Sequence, residues 1–363
     1  MHGRTKQRGC SVTEITSIQE TEKKFQFSSL IPILAPLFGA VVGLTIGAVL
    51  ILIAGADPLS AYAELLRGAL GGKRQITETI LRASPLLIMG LGMAVAFRAR
   101  VWNIGGEGQF VIGALFGAFI GLTFPDLPTP LLLTLMVLAG LLGGFLWALI
   151  PGLLKVKRGM SEIITTLMLN YIAVLLIEYL ARGPMQDPDS YLPESAKLIK
   201  AARLPSLFDT RIHLGVVIAV LLVPLILFIL WNTPLGFRLR AVGSKQSVAK
   251  YAGMNVNRAV LFAITFSGAL CGLAGLIEVS TYHYRIKSAI SSGYGFTAIL
   301  VALLGRMHPV GVMFAAVFFA MLDVGAQSMH ALYGLPITLA DAIRAIIVLS
   351  VLAADSLARR RKN

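Results

Sequence analysis

Leu214-Gly215-Val216-Val217-Ile218-Ala219-Val220-Leu221-Leu222-Val223-Pro224-Leu225-Ile226-Leu227-Phe228-Ile229-Leu230-Trp231-Asn232 is an unbroken stretch without a single charge. As a helix rising 1.5 Å per residue it is about 28 Å long, close to the thickness of a bilayer's hydrocarbon core. Comparable apolar runs recur along the 363-residue chain, none with the regular polar alternation of an amphipathic element. The composition agrees: 56% of residues are hydrophobic and 14% are charged, against about 25% charged in a soluble domain. A soluble core of this size cannot hide so much apolar surface. The 36 glycines fall largely inside the runs, where they let helix backbones approach closely.

Working outward gives an all-α polytopic membrane protein with ten expected spans: 28–54, 79–97, 108–124, 130–152, 162–180, 214–232, 259–281, 290–306, 309–328 and 338–354. Residues 1–27 form a charged N-terminal tail, 28–355 the transmembrane domain, and 356–363 a basic tail. Asp57-Pro58 opens a short interfacial helix over 57–72. Pro184, Pro188, Pro193 and Pro205 make 181–213 an exposed extracytoplasmic loop. Ala54-Gly55-Ala56 resembles a signal-peptidase site, but the apolar run before it is longer than a signal h-region, so 28–54 reads as a retained first helix.

Lysine and arginine placement orients the chain. With the N-terminus inside, cytoplasmic segments collect 20 of the 32 basic residues, outer segments collect 10, and Arg82 and Arg344 fall within spans. Both termini then face the cytoplasm. The net charge of +14 is explained by topology and contact with anionic membrane lipids. No basic face is interleaved with base-stacking aromatics, so nucleic-acid binding is not expected.

Several chemistries are missing from the sequence. Cys10 and Cys271 cannot build a disulfide framework, and the five histidines are too scattered for a metal site. No cofactor and no metal are expected. No nucleophile–base–acid or metal spacing marks a membrane enzyme. The nearest approach to a phosphate-binding loop, Gly71-Gly72-Lys73-Arg74, lacks the first glycine and the hydroxyl residue that holds magnesium. The chain does not hydrolyse ATP by itself.

Segment 233–258 holds five basic residues and no acid, with small residues at Ala241, Gly243, Ala249, Ala252 and Gly253. A short helix stopped at Gly253, with a basic rim, suits docking into a partner's groove. An ordinary positive-inside loop explains the same charges.

Thr233–Arg258 resembles the cytoplasmic coupling loop of bacterial ABC-importer permeases of the ribose and branched-chain amino acid type. The resemblance continues through Phe266-Ser267-Gly268-Ala269-Leu270-Cys271-Gly272-Leu273-Ala274-Gly275 and through Gly293–Gly305. Trp102-Asn103-Ile104-Gly105-Gly106-Glu107-Gly108-Gln109 and Glu162–Tyr171 are similar to the nucleoside subgroup. It covers residues 30–355. It implies a permease subunit in the bacterial inner (plasma) membrane, working with a separate ATP-binding subunit. It also implies a second similar permease as heterodimer partner and an extracytoplasmic substrate-binding lipoprotein of the basic membrane protein type. ATPase coupling would fall to Arg238, Arg240, Gly243, Ala249 and Gly253.

Asn103–Gln109 stands out physically as well. Gly105, Gly106 and Gly108 break a helix cheaply between two apolar runs, with Asn103, Glu107 and Gln109 in the break. Non-helical backbone at membrane depth is tolerated where it lines a cavity or is buried in protein. One reading puts Glu107 on the translocation path. The other holds the break at the cytoplasmic surface, with Glu107 paired to Arg98 or Arg100. The sequence Gly106–Phe110 opens its helix much as 292–296 opens another, which suggests two inverted five-helix repeats with solute passing between them.

Asn170 and Tyr171 lie mid-span, where each either meets a solute or glues helices together. Glu278 nears the outer end of its span with Tyr282 and His283 following, which allows a role at an outer mouth, although a solvated helix end is the simpler reading. Asp341 and Arg344, three apart, neutralise each other. Asp323 has no local partner in the sequence. Asn103, Gln109 and Asn170 offer hydrogen bonds to a nucleoside's ribose, and Trp102, Phe110, Tyr171, Tyr294 and Phe296 offer flat surfaces to its base. Composition does not choose among nucleoside, sugar and amino acid; that choice rests on the resemblance. A stand-alone secondary carrier is the further alternative.

Overall fold

The computed structural model describes residues 38–207, 211–287, 290–291, 293–334 and 336–360. The N-terminal tail and the last three residues lie outside the described residues, as do the first ten residues of the expected span 28–54. The chain divides into two compact units, Met1–Leu59 with Pro336–Asn363, and Ser60–Leu335.

In the smaller unit, α1 (Phe38–Ile53) and α13 (Ile337–Arg360) approach closely. A Cβ on Gly39 would lie 2.5 Å from the Ser350 carbonyl oxygen. Arg344 and Asp341 pair at 2.9 Å, the neutralisation expected of an i, i+3 pair.

The larger unit contains α2 (Pro58–Leu70) from Ser60 onward, α3 (Lys73–Arg98), α4 (Gly106–Thr123), α5 (Thr129–Arg158) and α6 (Glu162–Arg182). It continues with α7 (Leu214–Asn232), α8 (Pro234–Ser244), α9 (Gln246–Tyr251), α10 (Val256–Glu278), α11 (Tyr294–Leu304) and α12 (Pro309–Tyr333). Among the described residues no strand forms beyond isolated bridges, and the architecture is all-α. Seven described helices (α3, α4, α5, α6, α7, α10 and α12) are long and apolar enough to cross a membrane. The expected count of ten is not confirmed among the described residues, and the expected span 290–306 is shorter than a crossing helix. There the helix is α11, with 11 residues, about 16 Å and half a bilayer core.

Burial grades the long helices, with α12 intermediate at 56%. The apolar stretches of α3, α4 and α10 are 83%, 72% and 78% buried inside the chain, whereas those of α5, α6 and α7 are 28%, 22% and 28%. The first three form the centre and the others line its outside. Glycine makes the centre tight: a Cβ on Gly113 of α4 would sit 2.1 Å from the Gly272 Cα of α10. Van der Waals contact between backbones replaces the hydrophobic drive that lipid cannot supply.

Candidate translocation site

After α3 the chain turns through Arg100, at φ 55, and runs without helix to Gly106. The break is tied down by its own amides. Asn103 Nδ2 donates to Gln109 Oε1 at 2.8 Å and to Ser267 Oγ at 3.0 Å. Gln109 Nε2 and the Gly105 N–H donate in turn to Asn103 Oδ1. Asn170, reaching in from α6, accepts from the Gly108 N–H and donates to the Ile104 carbonyl, both at 2.9 Å. All three side chains are buried. The path-lining candidates Asn103, Gln109 and Asn170 thus have their hydrogen bonds satisfied inside the protein.

Glu107, also buried, faces the start of α11. Its Oε2 accepts from the Gly295 N–H at 2.7 Å, with Ser291 and Gly293 close to the same carboxylate. This is a carboxylate at a helix N-terminus, where unpaired N–H groups and the helix dipole favour negative charge. The helix starts touch: a Cβ on Gly295 would lie 2.2 Å from the Glu107 nitrogen. Gly106 sits against Met93 and Cys271. Cys271 is about 22 Å along α10 from its first residue, so the junction is deep in the bundle. Pairing of Glu107 with Arg98 or Arg100 at the surface is not what forms. Arg98 Nε donates to the Met307 carbonyl at 2.9 Å and its guanidinium lies 4.4 Å from the Trp231 ring centroid.

Beside the junction opens a cavity of about 460 Å³. Glu78, Leu81 and Arg82 of α3 form one wall, with Glu278, Thr281, Tyr282 and Tyr284 at the end of α10 and the turn after it. Leu204, Ser206, Arg211 and His213 close it from the loop, and Tyr294 supplies the α11 side. Tyr294 belongs to both features, since its ring lies 5.9 Å from that of Phe110 on α4. Arg82 is held by Asp323 of α12, by Gln327 at 3.2 Å and by Glu78 at 3.4 Å. Asp323 therefore finds its partner 241 positions away. Glu278 is not a solvated helix end: it is 8% exposed and faces the cavity. Burial pushes the His213 imidazole down to about 4, so it is neutral at physiological pH.

Of the sequence candidates for the path, Tyr294 alone lines this cavity. Tyr171 lies on the exposed face of α6, one residue from buried Asn170, and Phe296 is half-exposed on α11. Arg82, Glu78 and His213 were not singled out from sequence for a site. The available signal was Arg82 itself, a charge inside an apolar span.

Segment 233–258 forms α8 and α9. The Gly253 N–H donates to Lys250 O and the Met254 N–H to Ala249 O, both at 3.0 Å. With Gly253 at φ +77 this is the left-handed stop expected from the sequence. Its small residues turn inward: Ala249 is buried, and a Cβ on Gly243 would lie 1.8 Å from the Arg98 carbonyl oxygen. Arg240 leans over Trp231, 5.9 Å from the ring centroid. Arg238, Val248 and Tyr251 are exposed.

A family model described as "Branched-chain amino acid transport system / permease component" matches residues 75–352. The chain belongs to this permease family. The glucose ABC transporter permease protein TsgB13 of Haloferax volcanii is 36% identical over 90% of this chain and 88% of its own. The guanosine ABC transporter permease protein NupP of Bacillus subtilis is 37% identical over 88% and 92%. The nucleoside ABC transporter permease protein NupB of Lactococcus lactis is 34% identical over 82% and 84%. The permease is thus a multi-pass membrane transport subunit and not a catalytic enzyme. Its family works with a separate ATP-binding subunit and a substrate-binding protein.

Proposed function

We propose that this permease forms the translocation path of an ATP-driven importer for nucleosides in a bacterial inner membrane. A second similar permease completes a heterodimer, and an extracytoplasmic lipoprotein delivers the solute. Both termini and segment 233–258 face the cytoplasm, where Arg238 and the exposed face of α9 meet the ATP-binding subunit. The outer cavity receives the solute, and the junction of Asn103–Gln109 with the α11 start holds that cavity's inner wall. The two Gly-rich helix starts are counterparts in an inverted repeat.

The observation that carries this reading is the cavity itself. It combines tyrosine rings at Tyr282, Tyr284 and Tyr294 with the hydrogen-bonding groups of Glu78, Glu278 and His213, the mixture a flat base on a polar sugar requires. Two of the three relatives named above carry guanosine or nucleoside in their names. A sugar-carrying importer is the second reading, favoured by the relative named for glucose at nearly equal identity. The test is uptake of labelled guanosine, uridine and glucose by vesicles containing the permease with its partner subunits. ATP-dependent uptake of glucose without guanosine or uridine would sink the nucleoside reading.

A further inference from the structure

The cavity contains a buried carboxylate, Glu278, that makes no hydrogen bond among the described residues. It is 8% exposed, the His283 Nε2 lies at 3.7 Å, beyond hydrogen-bond reach, and Arg82 and Glu78 share its cavity. His213, also 8% exposed, lines the same wall, but its Nδ1 is buried against Gly215 and does not open to the cavity. Arg82 differs from Glu278, because three of its donors are committed to Asp323, Gln327 and Glu78. Buried polar groups in a native protein are nearly always paired, so a carboxylate left without a hydrogen bond on the wall of a cavity marks the place of a ligand that pairs it.

We propose that Glu278 is a solute-binding residue of the outer cavity that accepts hydrogen bonds from a vicinal pair of hydroxyls. A carboxylate is an acceptor at both oxygens and takes two adjacent O–H donors at once, as acidic residues do on ribose hydroxyls elsewhere. Tyr282 and Tyr294 flank the same space with apolar faces for the rest of the solute. The inference rests on the reading that solute passes through this cavity, but not on which solute. Ribose in a nucleoside and glucose both carry vicinal hydroxyls.

The experiment compares Glu278→Gln and Glu278→Asp with the unaltered permease in vesicles holding the complete transporter. It reads the ratio of uptake efficiency for guanosine to that for 2′-deoxyguanosine. The substrate-binding protein is the same in every arm, so its own selectivity cancels. Loss of a paired acceptor is expected to lower that ratio about tenfold in Glu278→Gln, with Glu278→Asp recovering part of it. Recovery of the ATP-binding subunit with each variant checks assembly. If Glu278→Gln does not assemble, Glu278→Asp must still shift the ratio. An equal loss for both solutes, or an unchanged ratio, overturns the proposal. Should the transporter carry glucose in place of guanosine, the nucleoside reading fails alone. The same ratio taken for glucose against 2-deoxyglucose then decides the role of Glu278.

Discussion

The Glu107 carboxylate of α4 accepts a hydrogen bond from the Gly295 N–H of α11 at 2.7 Å, joining two helix starts that are 188 positions apart in the chain. Removing the acceptor strands that N–H group in a dry interior, at about 1–3 kcal/mol. Glu107→Ala should therefore melt well below wild type in detergent, and Glu107→Gln, which keeps an oxygen, should fall between. An Ala variant that melts with wild type would show that the contact does not tether the helices.

Asn103 and Gln109 exchange two hydrogen bonds. Asn103→Leu and Gln109→Leu should each destabilise the protein. The double variant should lose less than the sum, with a coupling of about 0.5–3 kcal/mol. Strict additivity in thermal melts would mean the pair is not formed.

Arg82 and Asp323 pair at the cavity with side chains 16% and 26% exposed, while Arg182 and Glu178 pair in the open at 62% and 38%. Asp323→Asn should cost about 1–3 kcal/mol, because it leaves a half-buried guanidinium undercompensated. Glu178→Gln should cost at most about 0.5 kcal/mol. Equal effects in the same melt would contradict the burial difference.

Segment 233–258 separates docking from folding. Replacing exposed Val248 and Tyr251 together with Asp should abolish co-purification of the ATP-binding subunit while membrane insertion stays normal. Gly243→Trp should instead reduce folded protein, since the Arg98 carbonyl occupies the space of any side chain there. Retained co-purification in the Val248/Tyr251 double variant would leave this loop as an orientation signal.

Topology is tested by Ser247→Cys and Tyr191→Cys in a background lacking Cys10 and Cys271. An impermeant thiol reagent added to intact cells should label Tyr191→Cys and spare Ser247→Cys. The opposite pattern would invert the proposed orientation.

Much of the candidate site was readable as residue types but not as partners. Glycines at 105, 106 and 108 announced the break, because they lower the cost of leaving a helix. Gly253 announced the stop of α9, because its left-handed φ suits glycine. Nothing local announced that Asn103 would spend its amide on Gln109 and Ser267, or that Asn170 would close the break from α6. Those pairings depend on which helix faces arrive there. Glu278 read as a helix end near water because polar Ser280–His283 follow it, whereas in the fold it is buried on the wall of a cavity that loop residue His213 also lines.

From sequence alone the membrane class, most helix positions and the family resemblance follow, because a bilayer demands long apolar runs and the motifs are local. Which helices sit inside does not follow. Helix α7, without a charge, stays on the outside with 28% of its apolar stretch buried, while α4, bearing Glu107 and Gln109, is 72% buried. Lipid is as apolar as leucine, so hydropathy cannot rank burial within a membrane. Close approach of small residues and satisfaction of polar groups rank it, and both depend on neighbours that tertiary structure alone brings together.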